Sequence, residues 1–69
     1  MRHAELVRQL RRLGVEYRRP SKGSHEIWWR PDRKLYTLIP NHAGRDIAAG
    51  TLAKILKDLD LTQDDLRRV

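Results

Sequence analysis

The stretch Lys22-Gly23-Ser24-His25-Glu26-Ile27-Trp28-Trp29-Arg30-Pro31-Asp32-Arg33-Lys34-Leu35-Tyr36-Thr37-Leu38-Ile39-Pro40 decides the fold. Two runs rich in β-formers, residues 24–30 and 35–39, flank Pro31-Asp32-Arg33-Lys34, where Pro and Asp favour a type I-like turn. Pairing across that turn sets Arg30 opposite Leu35, Trp29 opposite Tyr36, Ile27 opposite Leu38 and His25 opposite Pro40. One side of the hairpin then holds His25, Ile27, Trp29, Tyr36 and Leu38. The other holds Glu26, Trp28, Arg30, Leu35, Thr37 and Ile39. Both sides carry large apolar residues, so alternation leaves the core side open, and a one-residue slip would exchange the faces of one strand.

Working outward, Pro20-Ser21-Lys22-Gly23 is a turn by composition. Residues 15–19 alternate apolar and polar, the period of a half-buried strand. Before them, Leu6, Leu10 and Leu13 fall at i, i+4, i+7 within residues 3–13, with Val7 widening the stripe, so an amphipathic helix is expected. Gly14 ends it, and the absence of a capping side chain at its start predicts fraying there. The polar face of this helix, with Arg8, Arg11 and Arg12, reads as a solvated face. Downstream, residues 41–46 form a loop, and from about residue 49 Leu52, Ile55, Leu56 and Leu59 make a second apolar stripe. Thr62, followed by Asp64 and Asp65, has the signature of an N-cap opening a short last turn. The order is helix–strand–strand–strand–helix. An α+β domain of two layers follows, with a three-stranded antiparallel sheet and two helices covering one face.

The 69 residues are expected to form one domain, residues 1–69, with a thin core. No cysteine is present, so disulfides and Cys-based zinc sites are excluded. No apolar run approaches the ~20 residues of a membrane span, and the chain reads as cytoplasmic. Charge is unevenly spread. Residues 1–45 carry eleven Lys and Arg against four acids, +7, whereas residues 46–69 carry four against five, −1. A polyanion such as RNA is the natural partner of such a chain, and no strongly basic amphipathic helix with an aromatic face points to a membrane.

His25 opens the second strand and His42 follows the third, close enough in this register for the imidazoles to approach within about 10 Å. His3, at the start of the first helix, reads as incidental. Two histidines on a basic surface suit acid–base cleavage of a phosphodiester. A neutral imidazole takes the ribose 2′-OH proton and an imidazolium protonates the leaving oxygen, both accessible near the reference imidazole pKa of ~6.5. Lys22, Arg18 and Arg19 are candidates to stabilise the pentacoordinate phosphate, and Arg30 joins them as a candidate RNA contact. Trp28 and Trp29 face opposite ways. The inward one belongs to the core, and the outward one is free to stack a base or meet a partner. Three scattered histidines lack metal-ligand spacing, so neither a metal nor any other cofactor is expected.

Leu6, Leu10 and Leu13-Gly14-Val15, then Lys22-Gly23-Ser24-His25, then Ile39-Pro40-Asn41-His42, then Gly50-Thr51-Leu52-Ala53-Lys54-Ile55-Leu56 together resemble the HicA toxin family of toxin–antitoxin modules. The resemblance runs from about residue 3 to residue 66. It implies a fold similar to double-stranded RNA-binding domains, an mRNA interferase activity, and a HicB-type antitoxin that covers the active site. The family's catalytic histidine falls on His25, and His42 matches a Pro-x-His element as a candidate second acid/base. The family often has a small or basic residue after the histidine. Glu26 departs from that, which bears on substrate contacts. A catalytic His25 must reach RNA, so its side of the hairpin is expected to be open, with Trp29 and Tyr36 beside it and Trp28, Leu35 and Ile39 under the helices. The expectation is a metal-independent endoribonuclease acting on mRNA. The alternatives are a module of the same fold that binds RNA without cutting it, and a subunit that only docks a protein.

Overall fold

The computed structural model describes residues 1–42 and 44–69. The elements run α1 (His3–Arg12), β1 (Glu16–Pro20), β2 (His25–Arg30), β3 (Leu35–Pro40), α2 (Ala49–Asp58) and α3 (Gln63–Arg67). The antiparallel sheet has the order β1-β2-β3. The β2–β3 ladder runs from Arg30↔Leu35 to His25↔Pro40, the register expected from the turn. Pro40 belongs to β3, one residue beyond the expected end.

The helices settle which side of the hairpin is core. Leu6, Val7 and Leu10 of α1 and Leu52, Ile55 and Leu56 of α2 join Trp28 and Ile39 in one buried cluster, with Val15, Ile47, Leu59, Leu61 and Leu66 around them. Leu35, expected on this side too, is only half-buried. Thr37 is buried among apolar neighbours, where a lone hydroxyl would be unfavourable. Its Oγ1 donates to Asp58 Oδ2 of α2 at 2.8 Å.

Both long helices stop in the same way. In α1, Gly14 N–H donates to Arg11 O and Val15 N–H to Leu10 O, with Gly14 at φ +88°. In α2, Asp60 N–H donates to Lys57 O and Leu61 N–H to Leu56 O, with Asp60 at φ +56°. These are paired Schellman bonds, which need a left-handed residue just past the helix. Glycine fills that position without strain in α1. In α2 a non-glycine residue is held there by two arginines: Arg30 Nη1 donates to Leu59 O at 2.8 Å and Asp60 O at 3.1 Å, and Arg33 Nη1 donates to Asp60 Oδ2 at 2.8 Å. Thr62 and Asp65 then form a reciprocal capping box that starts α3, as their spacing predicts.

Two local expectations are corrected. The strand over residues 15–19 is not half-buried: β1 begins at Glu16 and is exposed throughout, while Val15 drops into the core just before it. An edge strand needs no apolar alternation, and the Schellman turn aims Val15 inward on its own. The start of α1 lacks a side-chain cap, as read, but it is held. Arg2 bridges Asp46, Ile47 N–H donates to Met1 O at 2.7 Å, and His3 is tied to β2. Among the described residues no helix is long and apolar enough to cross a membrane.

Candidate functional site

The β1–β2 turn positions His25. Ser21 N–H donates to His25 O and His25 N–H to Lys22 O, with Gly23 at φ +60° between them. A positive φ at the first central residue only is the type II′ hairpin turn, whose twist matches the flanking strands and which calls for glycine at that position. The turn aims the Lys22 carbonyl at the histidine it has just placed. His25 Nδ1 lies 3.3 Å from Lys22 O. A carbonyl only accepts, so Nδ1 carries the proton in this contact, and in the neutral ring Nε2 holds the lone pair. His25 is exposed.

His42 is brought alongside by the end of β3. Asn41 N–H donates to Ser24 O at 2.8 Å, extending the ladder past Pro40. The two imidazoles stand edge to face, with centroids 6.4 Å apart and planes at 81°. This is closer than the ladder alone predicts. Together they line a cleft of about 480 Å3 with Leu38, Pro40, Arg45, Thr51 and Lys54 among its walls. Arg45 and Lys54 escape a reading of the hairpin alone, because one lies in the following loop and the other on α2. The i, i+4 spacing of Lys54 and Asp58 is the only local signal, and Lys54 Nζ does pair with Asp58 at 3.0 Å.

The remaining candidates divide. Arg18 and Arg19 both reach the open side of the sheet, next to Trp29. They do so through a bulge: Tyr17 pairs with Trp28 and Arg19 with Ile27, leaving Arg18 as the extra residue. Arg18 stacks on the Trp29 ring at 4.5 Å from its centroid. Trp29 is half-buried and Tyr36, opposite it, is exposed, so the open side carries aromatic surface as expected. Lys22 is exposed on the turn. Arg30 is not with them. It lies on the helix side, its side chain 14% exposed, and its guanidinium is taken up by the carbonyls that close α2.

Glu26 also proves to be a structural group. It points to the helix side, away from the side that carries His25. Its Oε1 accepts from Trp28 Nε1 at 2.9 Å and His3 Nε2 at 2.7 Å, and its Oε2 accepts from Asn41 Nδ2 at 3.1 Å. Burial opposes its ionisation, but the hydrogen bonds donated by Trp28, His3 and Asn41 outweigh burial, and its pKa lies below the ordinary value. His3 is therefore not incidental: it ties α1 to β2. Through Asn41, the same carboxylate also steadies the residue before His42. Among the described residues no three His, Asp or Glu side chains gather as metal ligands.

A family model described as the HicA toxin of bacterial toxin–antitoxin modules matches residues 4–61. No curated protein and no solved structure matches the chain.

Proposed function

Because this chain belongs to the HicA toxin family of bacterial toxin–antitoxin modules, we propose that it is an endoribonuclease that cuts mRNA in the cytoplasm with His25 and His42 as its proton carriers. The observation that carries this proposal is the pair of exposed imidazoles 6.4 Å apart in a cleft that also holds Arg45 and Lys54. That spacing sets both imidazoles beside a single phosphodiester held in the cleft.

In the proposed reaction, His25 Nε2 takes the proton of a ribose 2′-OH as the 2′-oxygen attacks the adjacent phosphorus. The P–O5′ bond breaks and His42, protonated, gives its proton to the departing 5′-oxygen. The products are a 2′,3′-cyclic phosphate and a 5′-hydroxyl. The Lys22 carbonyl keeps the His25 proton on Nδ1 and stabilises the imidazolium formed at mid-reaction. Arg45, Lys54 and Lys22 lower the energy of the dianionic phosphorane. Both proton transfers are supplied by side chains, so the scheme calls for no metal. Arg18, Arg19 and Trp29 hold the RNA. A HicB-type antitoxin silences the enzyme by covering this side of the sheet.

Expression of the wild type and His25→Ala without an antitoxin tests the proposal, with growth and RNA integrity as readouts. Growth arrest and 2′,3′-cyclic phosphate ends are expected from the wild type alone. Undiminished cleavage by a folded His25→Ala protein would remove His25 from the mechanism. RNA bound but left intact by the wild type would favour the non-catalytic binding module.

A further inference from the structure

The open side of the sheet has a second cleft, of about 350 Å3, that the proton transfers do not use. Arg18, Arg19, Ile27, Trp29, Lys34 and Tyr36 line it. We infer that this cleft is a subsite for single-stranded RNA, taking an unpaired nucleobase on its aromatic surface and flanking phosphates on its three cations. The inference rests on the ribonuclease proposal for the kind of polymer, and adds the form of that polymer and the path it follows.

Three observations carry it. The bulge in β1 turns two consecutive arginines to one side, which a regular strand cannot do. Tyr36, 67% exposed, sits opposite Trp29 in the ladder, and the Arg18 guanidinium lies over the indole. Aromatic faces and guanidinium planes are the surfaces on which unpaired bases stack. Third, the cleft leads to the histidines. The cross-strand pairs Trp29–Tyr36, Ile27–Leu38 and His25–Pro40 follow one another along this side. Strand rise puts Trp29 about 13 Å from His25, within reach of a short extended strand.

The charge suits a polyanion, and the exposed aromatic surface beside it favours RNA, whose bases stack, over an acidic protein. That surface also favours a single strand over a duplex. A duplex hides the faces of its bases and is gripped through phosphates and 2′-hydroxyls, for which an aromatic platform has no use. The cations suited to that grip, Arg8 and Arg12, line a separate cleft with Gln9 and Val69, without an aromatic side chain.

The full chain carrying His25→Ala, which spares the RNA, is the background for the test. The probe is a fluorescein-labelled mixed-sequence RNA of about twelve nucleotides, single-stranded or annealed to its complement. The single strand is expected to bind more tightly than the duplex. Tyr36→Ala should weaken single-strand binding about tenfold with an unchanged thermal midpoint. Arg19→Ala should reduce the salt slope by about 0.7, and the Arg8→Ala/Arg12→Ala double variant should leave single-strand affinity as it was. Equal affinity for the duplex would overturn the inference. So would a Tyr36→Ala protein that binds RNA normally, which would assign the patch to a protein partner. The two proposals fail separately: uncut RNA with Tyr36-dependent binding removes the nuclease and keeps the subsite, whereas cut RNA with Tyr36-independent binding does the reverse.

Discussion

The two sides of the sheet use the same kinds of residues to opposite ends. On the helix side, polar groups are drawn into the fold: Glu26 accepts three hydrogen bonds, Thr37 donates to Asp58, and Arg30 closes α2. On the open side, His25 makes one side-chain hydrogen bond among the described residues, through Nδ1, and Arg18 rests on the Trp29 ring. Burial accounts for the difference. A polar group taken out of water must find partners, whereas an exposed one can be kept in reserve for a ligand. For Glu26, Thr37 and Arg30, partners go with burial and with holding the fold, whereas His25 and Arg18 are left with few partners at the surface.

That contrast can be broken from either side. The largest effect should come from the open side. His42→Ala is expected to lower the cleavage rate about a hundredfold, equivalent to about 2.7 kcal/mol of activation energy, while the unfolding midpoint in urea stays put. A folded variant with full activity would remove His42 as the acid. Next, Glu26→Ala should cost about 2 kcal/mol of stability by chemical denaturation, because three donors lose their acceptor and one of them, Trp28 Nε1, belongs to a buried ring. Glu26 also makes the acid limb of the stability curve informative. Its pKa is depressed in the fold, so its contribution is complete above the ordinary value of 4.5 and is lost as pH falls through the lower folded value. Glu26→Gln should flatten that limb, and an unchanged limb would mean the carboxylate does not matter to folding.

Smaller again is Gly23→Ala. A Cβ there meets nothing within 4 Å, so only the backbone cost of φ +60° remains, about 1 kcal/mol. Turnover should fall along with stability, since the same turn aims the Lys22 carbonyl at His25. The smallest effect belongs to Arg19→Ala, within about 0.5 kcal/mol of wild-type stability by thermal melting. A larger loss would show that the open side helps hold the fold after all.

Much of the architecture is legible in the residues. The four-residue turn dictates the β2–β3 register, the helical stripes name the core, and Thr62 and Asp65 declare the start of α3. What escapes a linear reading arises from residues that meet only after folding. Glu26 and Trp28 share a side by the period of the strand and Asn41 lies diagonally across the ladder, but no spacing rule brings His3 to the same carboxylate. Arg30 looks like any surface arginine until the left-handed Asp60 needs its donors. The bulge is invisible because Tyr17-Arg18-Arg19-Pro20 contains no glycine to announce it. His42 illustrates both cases: its nearness to His25 follows from the ladder, while Arg45 and Lys54 around it come from other parts of the chain.

The bulge has an evolutionary consequence. Omit Arg18, and the pairs Glu16↔Trp29, Tyr17↔Trp28, Arg19↔Ile27 and Pro20↔Glu26 form an unbroken antiparallel ladder. A single codon inserted into an ordinary edge strand is thus enough to add a cation to one side of the sheet and leave the buried side in register. Losing or gaining this codon would change the charge of the open side in one heritable step, without renegotiating the core.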